Sequence, residues 1–315
     1  MGASLSSQKE SMDKESSMDL PSVSIIVPVY NGERFIGKCI ESLLALDYPA
    51  DKREIIIVDN NSKDRTSEIV KQYPVQYLLE KKQGACCARN TGYRNAVFPL
   101  VAFTDSDCIA EKTWIRELAK HFQDETVGGC GGHLEPAPPQ TVIEEYVIYK
   151  DILSQERALR DEAISPPFLI TANAMYRKDI LEELGGFDEN FTVNGEDADL
   201  AWRVRWKGYE LEYEARAIVY HHHRSTLWRL LKQIRSYGAG TSYLFWKHHR
   251  KLGYETFFNR HPYLEMFRAF FRIPFHLLFR KGKLQRILPM LEFLGAASFL
   301  TGKIQTSLKL RIRFF

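Results

Sequence analysis

Asp105-Ser106-Asp107 sets two carboxylates two residues apart directly after the apolar run Leu100–Thr104. At a strand end both side chains can turn toward one ligand. Hard oxygen donors at that density suit Mg²⁺ or Mn²⁺, which complete their shell with substrate phosphates. The same tripeptide also reads as a polar turn with an Asx cap ahead of Trp114. Glu196-Asp197, with Asp199 close behind, opens an apparent helix through Leu200, Trp202 and Val204, where acidic residues favour the N-terminus through the dipole. His221-His222-His223 follows the strand-like 217–220. Alternation along a strand puts His221 and His223 on one face, where an imidazole can ligate a metal or simply be solvated.

These groups need a scaffold, and the pattern supplies one. Val23-Ser24-Ile25-Ile26-Val27 and Glu54-Ile55-Ile56-Ile57-Val58 are β-branched runs suited to a parallel sheet covered on both faces. After the first run Asn31 can cap a helix with Phe35, Ile36, Cys39, Ile40, Leu43 and Leu44 at helical spacing. Further helices are expected over 62–73, 84–96 and 112–122, with strands at 75–79 and 100–104 between them. Four strand-helix units in succession imply an α/β fold with a doubly wound, mostly parallel sheet, which binds ligands at the carboxyl ends of its strands. Tyr30-Asn31, Asp59-Asn60-Asn61 and Asp105-Ser106-Asp107 stand at those ends. No GxGxxG follows the first strand and no GxxxxGK[ST] occurs, which counts against a dinucleotide dehydrogenase and a P-loop phosphotransferase.

Six stretches, VSIIVPVYN (23–31), IIIVDNNSKDRT (55–66), GACCARNTGYRNA (84–96), FTDSDC (103–108), GGF (185–187) and GEDADLAWR (195–203), stand in an order and spacing that closely resembles glycosyltransferase family 2. The resemblance covers 22–224 and implies the GT-A fold and an inverting transfer from a nucleoside-diphosphate sugar to a hydroxyl acceptor. It implies that Pro28, Tyr30 and Asn31 lie at the base and ribose, with Asp59 and Asn60 along the base edge. Many relatives carry a second Asp where this chain has Asn60, which leaves uracil, thymine and guanine open. Arg89 would face the nucleotide, Asp105 would bind ribose or metal, and Asp107 would ligate the Mn²⁺ or Mg²⁺ that bridges the diphosphate. Asp197 of the Glu196-Asp197 pair would be the general base, with Glu196 at the substrate. Asn173 could donate to a sugar hydroxyl or cap a turn. His221, and after it His223, would complete the metal site. Gly128–132 could bring backbone close to a ligand or form an irregular strand.

At 315 residues, 44% hydrophobic and 26% charged, the chain is neither collagen-like nor wholly disordered nor a multi-span membrane protein. Its net charge of +3 hides a split: 226–315 holds 17 Lys+Arg against three Asp+Glu, and 18 of the 39 aromatics. Arg268, Arg272 and Arg280 interleave there with Phe267, Phe270, Phe271, Phe275, Leu278 and Phe279, as in helices lying on an anionic membrane surface. A helical cap with a cationic outer face fits the same residues. The apolar run 287–302 is short and broken by Pro289 and Glu292, so no spanning helix is expected. No nucleic-acid-binding signature appears. Five cysteines without a CxxC pair favour a reducing compartment. Residues 1–21 read as a disordered leader whose start matches the myristoylation pattern. The expected organisation is therefore leader, catalytic domain over 22–225, and basic amphipathic helices over 226–315. The expected activity is a metal-dependent glycosyltransferase at the cytoplasmic face of the membrane, serving lipid-linked or cell-surface glycans. A sugar-1-phosphate nucleotidyltransferase, which lacks its Gly-rich triphosphate loop here, and an inactive membrane-binding scaffold are the alternatives.

Overall fold

The computed structural model describes residues 20–160, 166–253 and 260–314. The expected leader, apart from Leu20 and Pro21, lies outside them. Those two residues are tied down: the Leu20 carbonyl accepts from Lys52 Nζ at 3.0 Å and the Pro21 carbonyl from the Tyr48 hydroxyl.

Eight strands make one sheet: β1 (Val23–Val29), β2 (Arg53–Asp59), β3 (Gln76–Leu79), β4 (Leu100–Thr104), β5 (Cys108–Ala110), β6 (Val127–Pro136), β7 (Asn173–Arg177) and β8 (Glu210–His221). The helices are α1 (Ile36–Leu44), α2 (Thr66–Val70), α3 (Ala85–Asn95), α4 (Trp114–Ala119), α5 (Val142–Tyr149), α6 (Gln155–Arg160), α7 (Lys178–Leu184), α8 (Glu196–Trp206), α9 (Leu227–Leu252), α10 (His261–Phe279) and α11 (Lys283–Leu310). The strand order is β3-β2-β1-β4-β7-β6-β8-β5. β3, β2, β1 and β4 run parallel, as the β-α repeats require. β7 is antiparallel to both β4 and β6, β8 is parallel to β6, and β5 is antiparallel to β8. The sheet is thus parallel on one side and mixed on the other, because the chain reaches β7 only after a long excursion and enters it from the opposite end.

Alternation along the buried strands feeds two cores. Ile25, Val27 and Ile57 pack with Ile36, Ile40, Leu43, Trp114 and Leu118 on one face; Ile26, Ile56 and Val58 pack with Ala88, Tyr93, Ile180, Leu200 and Val204 on the other. Two local expectations change. The helix expected over 62–73 shrinks to α2, because Asp59 accepts from the Ser62 N–H at 2.9 Å and Asp64 from the Thr66 N–H at 3.0 Å, and such side-chain bonds compete with helix. Asn31 does not cap α1. It sits at φ 50°, its Oδ1 accepts from the Lys63 N–H at 2.8 Å, and it links the β1 and β2 exits instead. The 128–132 glycines lie within β6 itself, where a Cβ on Gly132 would meet the Ala217 carbonyl at 2.2 Å.

The described residues of the basic region form three long helices. α9 is lodged between the catalytic layers and α11: a Cβ on Gly240 would come 1.7 Å from the Asn194 carbonyl, and one on Gly238 would come 2.0 Å from the Phe299 carbonyl. Buried Asp199 of α8 receives Arg203 at 2.8 Å, Lys247 at 2.6 Å and His248 at 2.7 Å, the last two from α9. Burial pushes its carboxyl up, but these contacts win and hold it down at about 2. α11 is longer than the expected run: at 28 residues it is long and apolar enough to cross a membrane, with 39% of its most apolar window buried against the protein. The helix simply starts before Ile287, at Lys283, and continues past Gly302 through Lys303 to Leu310, polar ends that hydropathy alone would exclude. Replacing Gly240 by Ala should cost about 1–3 kcal/mol by urea denaturation, since α9 must back away from Asn194; an unaltered transition would mean that the contact is slack.

Candidate active site

α3 carries Arg89 to the carboxyl end of β4. Its buried guanidinium lies between two carboxylates, donating from Nη2 to Asp105 Oδ1 at 3.1 Å and from Nη1 to Glu196 Oε1 at 2.8 Å. Asp105 comes from the β4 exit and Glu196 from the first turn of α8, so one cation joins three segments. Arg89, Asp105, Glu196, Asp197 and His221 all line one cavity of about 810 Å³.

Asp197, next to Glu196, has no ion pair among the described residues. Its Oδ1 accepts the Ala198 N–H at 2.8 Å. Burial first, and then the Glu196 charge, push its carboxyl up to about 7. A carboxylate of that basicity inside a cavity can take a proton from a bound hydroxyl near neutral pH.

Asp107 reaches His221 Nε2 at 3.6 Å and Arg224 at 3.3 Å. Asp107, Cys108 and His221 hold ligand atoms within 4.8 Å of one another. Burial drives the Cys108 thiol well up, and it points to the Ala172 carbonyl at 4.0 Å, so Asp107 and His221 are the effective donors. Among the described residues His221 Nδ1 is buried without a hydrogen-bond partner, so the ring keeps a nitrogen unspent. A carboxylate and an imidazole with a spare nitrogen fit a divalent cation such as Mg²⁺ or Mn²⁺. Asp105 does not join that cluster; its charge goes to Arg89. The His223 ring is 5.2 Å from that of His221, and burial, then His221, lower its pKa to about 4, whereas His222 stacks on Phe35 at 4.7 Å.

At the β1 and β2 exits, Tyr30 is 53% exposed and Pro28 half-buried. Asp59 is buried and accepts from Ser62 N–H and from the Tyr77 hydroxyl at 2.9 Å. Asn60 differs from the expected base-edge contact: its Nδ2 donates to the Glu80 and Lys82 carbonyls at 3.1 and 2.7 Å, and its Oδ1 accepts from Gly84 N–H at 2.8 Å. Its amide therefore fixes the loop before α3. Asn173 also departs from expectation. Fully buried, it accepts from the Trp114 indole at 2.7 Å and donates to the His133 and Ala217 carbonyls at 2.8 and 2.9 Å, leaving no donor for a sugar.

Sequence reasoning missed Arg224 and the α9 wall of the cavity. Gln233, Tyr237, Thr241 and Phe245 recur every four residues and so share one helix face; that spacing was the available signal.

Residues 24–185 match the model of glycosyl transferase family 2. The chain is 31% identical over 224 residues to glycosyltransferase AglE of Haloferax volcanii, covering 69% of this chain and 72% of that protein. It is 27% identical to the probable glycosyltransferase YdaM of Bacillus subtilis, over 74% of this chain and 58% of YdaM. It is also 27% identical to the pre-mycofactocin glycosyltransferase of Mycobacterium tuberculosis, over 72% of this chain and 48% of that one. The chain therefore spans about half the length of the latter two relatives. Among solved structures, mannosyltransferase PcManGT from Pyrobaculum calidifontis, in complex with GDP-Man and Mn²⁺, superposes with a TM-score of 0.63 at 18% identity, over 93% of this chain and 88% of the other. That likeness is one of fold, and the fold is GT-A as the sequence leads one to expect. Arg89→Leu should leave Asp105 and Glu196 uncompensated and cost about 3–5 kcal/mol of stability; an unchanged melting profile would show that the triad carries no weight.

Proposed function

The chain belongs to glycosyltransferase family 2, and from that membership we propose that it moves one sugar from a nucleoside diphosphate to an acceptor hydroxyl with inversion, Asp197 being the base. The observation that carries this reading is the place of Asp197 in the cavity, without an ion pair among the described residues, beside a guanidinium-bridged pair of carboxylates. The acceptor oxygen attacks the anomeric carbon, its proton passes to Asp197, and the carbon–oxygen bond to the diphosphate breaks with the electron pair leaving on the phosphate. Tyr30, exposed at the β1 exit, offers a face for the nucleotide base, and Arg89 keeps Asp105 turned toward the ribose. Asp107 and His221 would hold a divalent cation, which supplies charge neutralisation for the departing diphosphate. The Mn²⁺ and GDP-Man bound to PcManGT support that choice of ligands without selecting a base for this chain. Arg224, 3.3 Å from Asp107, adds positive charge on the same side.

The proposal extends to place of action. Leu264, Phe267, Phe270, Phe271, Phe275, Leu278 and Phe279 of α10 all stand exposed beside Arg268, Arg272 and Arg280. Such a surface suits the headgroup region of an anionic membrane at the cytoplasmic face, where a lipid-linked or cell-surface glycan is extended. The five free thiols agree with a reducing compartment.

Asp197→Asn should keep nucleoside diphosphate affinity with Mn²⁺ but lower transfer by at least about a hundredfold. In the parent enzyme kcat/KM should fall as the pH drops through about 7, because protonation of a carboxyl with a raised pKa removes the base form. Turnover by the variant at the parent rate would remove Asp197 from this role. Replacing Phe267, Phe271 and Leu278 together by Ser should abolish sedimentation with phosphatidylglycerol vesicles; continued pelleting would move the anchor elsewhere.

A further inference from the structure

The cavity that holds Asp197 is far larger than one hydroxyl requires. Tyr237 and Leu252 of α9 both line it, and they lie about 22 Å apart along the helix axis, so it is a long trough. Away from the carboxylates its walls are Phe168, Trp202, Leu244, Phe245, Leu252 and Phe314. Three of the polar side chains along the same stretch already donate within the protein. The Trp202 indole N–H donates to the Pro166 carbonyl at 2.9 Å, the Thr241 hydroxyl to the Tyr237 carbonyl at 2.9 Å, and Gln233 Nε2 to the Tyr237 hydroxyl at 2.8 Å. Phe314 lies flat on Phe245, with centroids 4.2 Å apart and planes 13° apart, and the Lys303 ammonium backs Phe314 at 4.2 Å. Arg205 is the charged side chain added at this end.

A second sugar would need a row of donors and acceptors beside Phe168, Trp202, Phe245, Leu252 and Phe314, where the Trp202 indole and the Thr241 hydroxyl are already committed to backbone carbonyls; a hydrocarbon needs only the apolar wall. We propose that the trough receives the hydrocarbon aglycone of the acceptor, an alkyl or isoprenoid chain whose hydroxyl-bearing head stands at Asp197. The proposal rests on Asp197 being the base, since that fixes which end of the acceptor enters first. It makes the basic C-terminal helices part of the acceptor site: Leu244, Phe245 and Leu252 come from α9, and Phe314 from the segment after α11.

Methyl and n-decyl β-D-glucoside, the latter below its micelle threshold, are the probes, titrated calorimetrically into the full chain. The decyl glycoside should bind at least about tenfold more tightly than the methyl glycoside. Phe245→Ala and Leu252→Glu should each erase that difference, with circular dichroism reporting the folded state; Leu252 is only half-buried, so its substitution spares the core. Equal affinity for the two glycosides, or a decyl preference that survives both substitutions, would overturn the proposal. Asp197→Asn separates the two readings: it should retain decyl binding while losing transfer. Transfer that persists in this variant alongside decyl binding would discard the base and leave the trough standing.

Discussion

The site depends on how few cations are asked to neutralise how many closely set carboxylates. Burying a guanidinium costs several kcal/mol unless its charge is met, and Arg89 offsets that cost through Nη1 and Nη2 with two acids from different segments, Glu196 and Asp105, while its Nε has no hydrogen-bond partner among the described residues. Asp107 has His221 and Arg224, and Asp199 has Arg203, Lys247 and His248. Every acid around the catalytic helix thus has a partner except Asp197, among the described residues. The odd carboxylate is the basic one, and its basicity follows from its own burial and then from the Glu196 charge beside it.

The same constraint explains why the C-terminal helices are inseparable from the catalytic layers. Lys247 on α9 pairs with Asp199 two residues beyond Asp197, and His248 hydrogen-bonds the same oxygen, so the helix that walls the cavity also anchors the helix that carries the proposed base. Close backbone approach at Gly238 and Gly240 permits this docking. A region of 17 basic residues reads in isolation as an arm for an anionic surface; in the folded chain α9 faces inward, and α10 presents the exposed aromatic surface.

Much of this was legible from residue order. β-branched runs marked β1 and β2, and an apolar run marked β4, because burial on both faces leaves few polar positions to confuse the period. The carboxylate clusters were visible because their spacing is local. What stayed hidden was pairing across long separations. Nothing local tells that Asn60 and Asn173 spend their amides on backbone carbonyls, or that Asp105 turns to Arg89 rather than to the Asp107 and His221 cluster. The antiparallel β7 was equally hidden, since strand direction depends on the path of the excursion before it. The α9 wall was overlooked because charge and aromatic content drew attention from its four-residue repeat.

The proposed division of labour sets a cation at Asp107 and His221 and an unligated base at Asp197. Anomalous diffraction at the manganese edge, from crystals grown with Mn²⁺ and a nucleoside diphosphate, tests it most directly. One peak within about 2.5 Å of an Asp107 oxygen and a His221 nitrogen, with Asp197 outside the coordination sphere, is the predicted result. A peak ligated by Asp197, or placed away from Asp107, would contradict it.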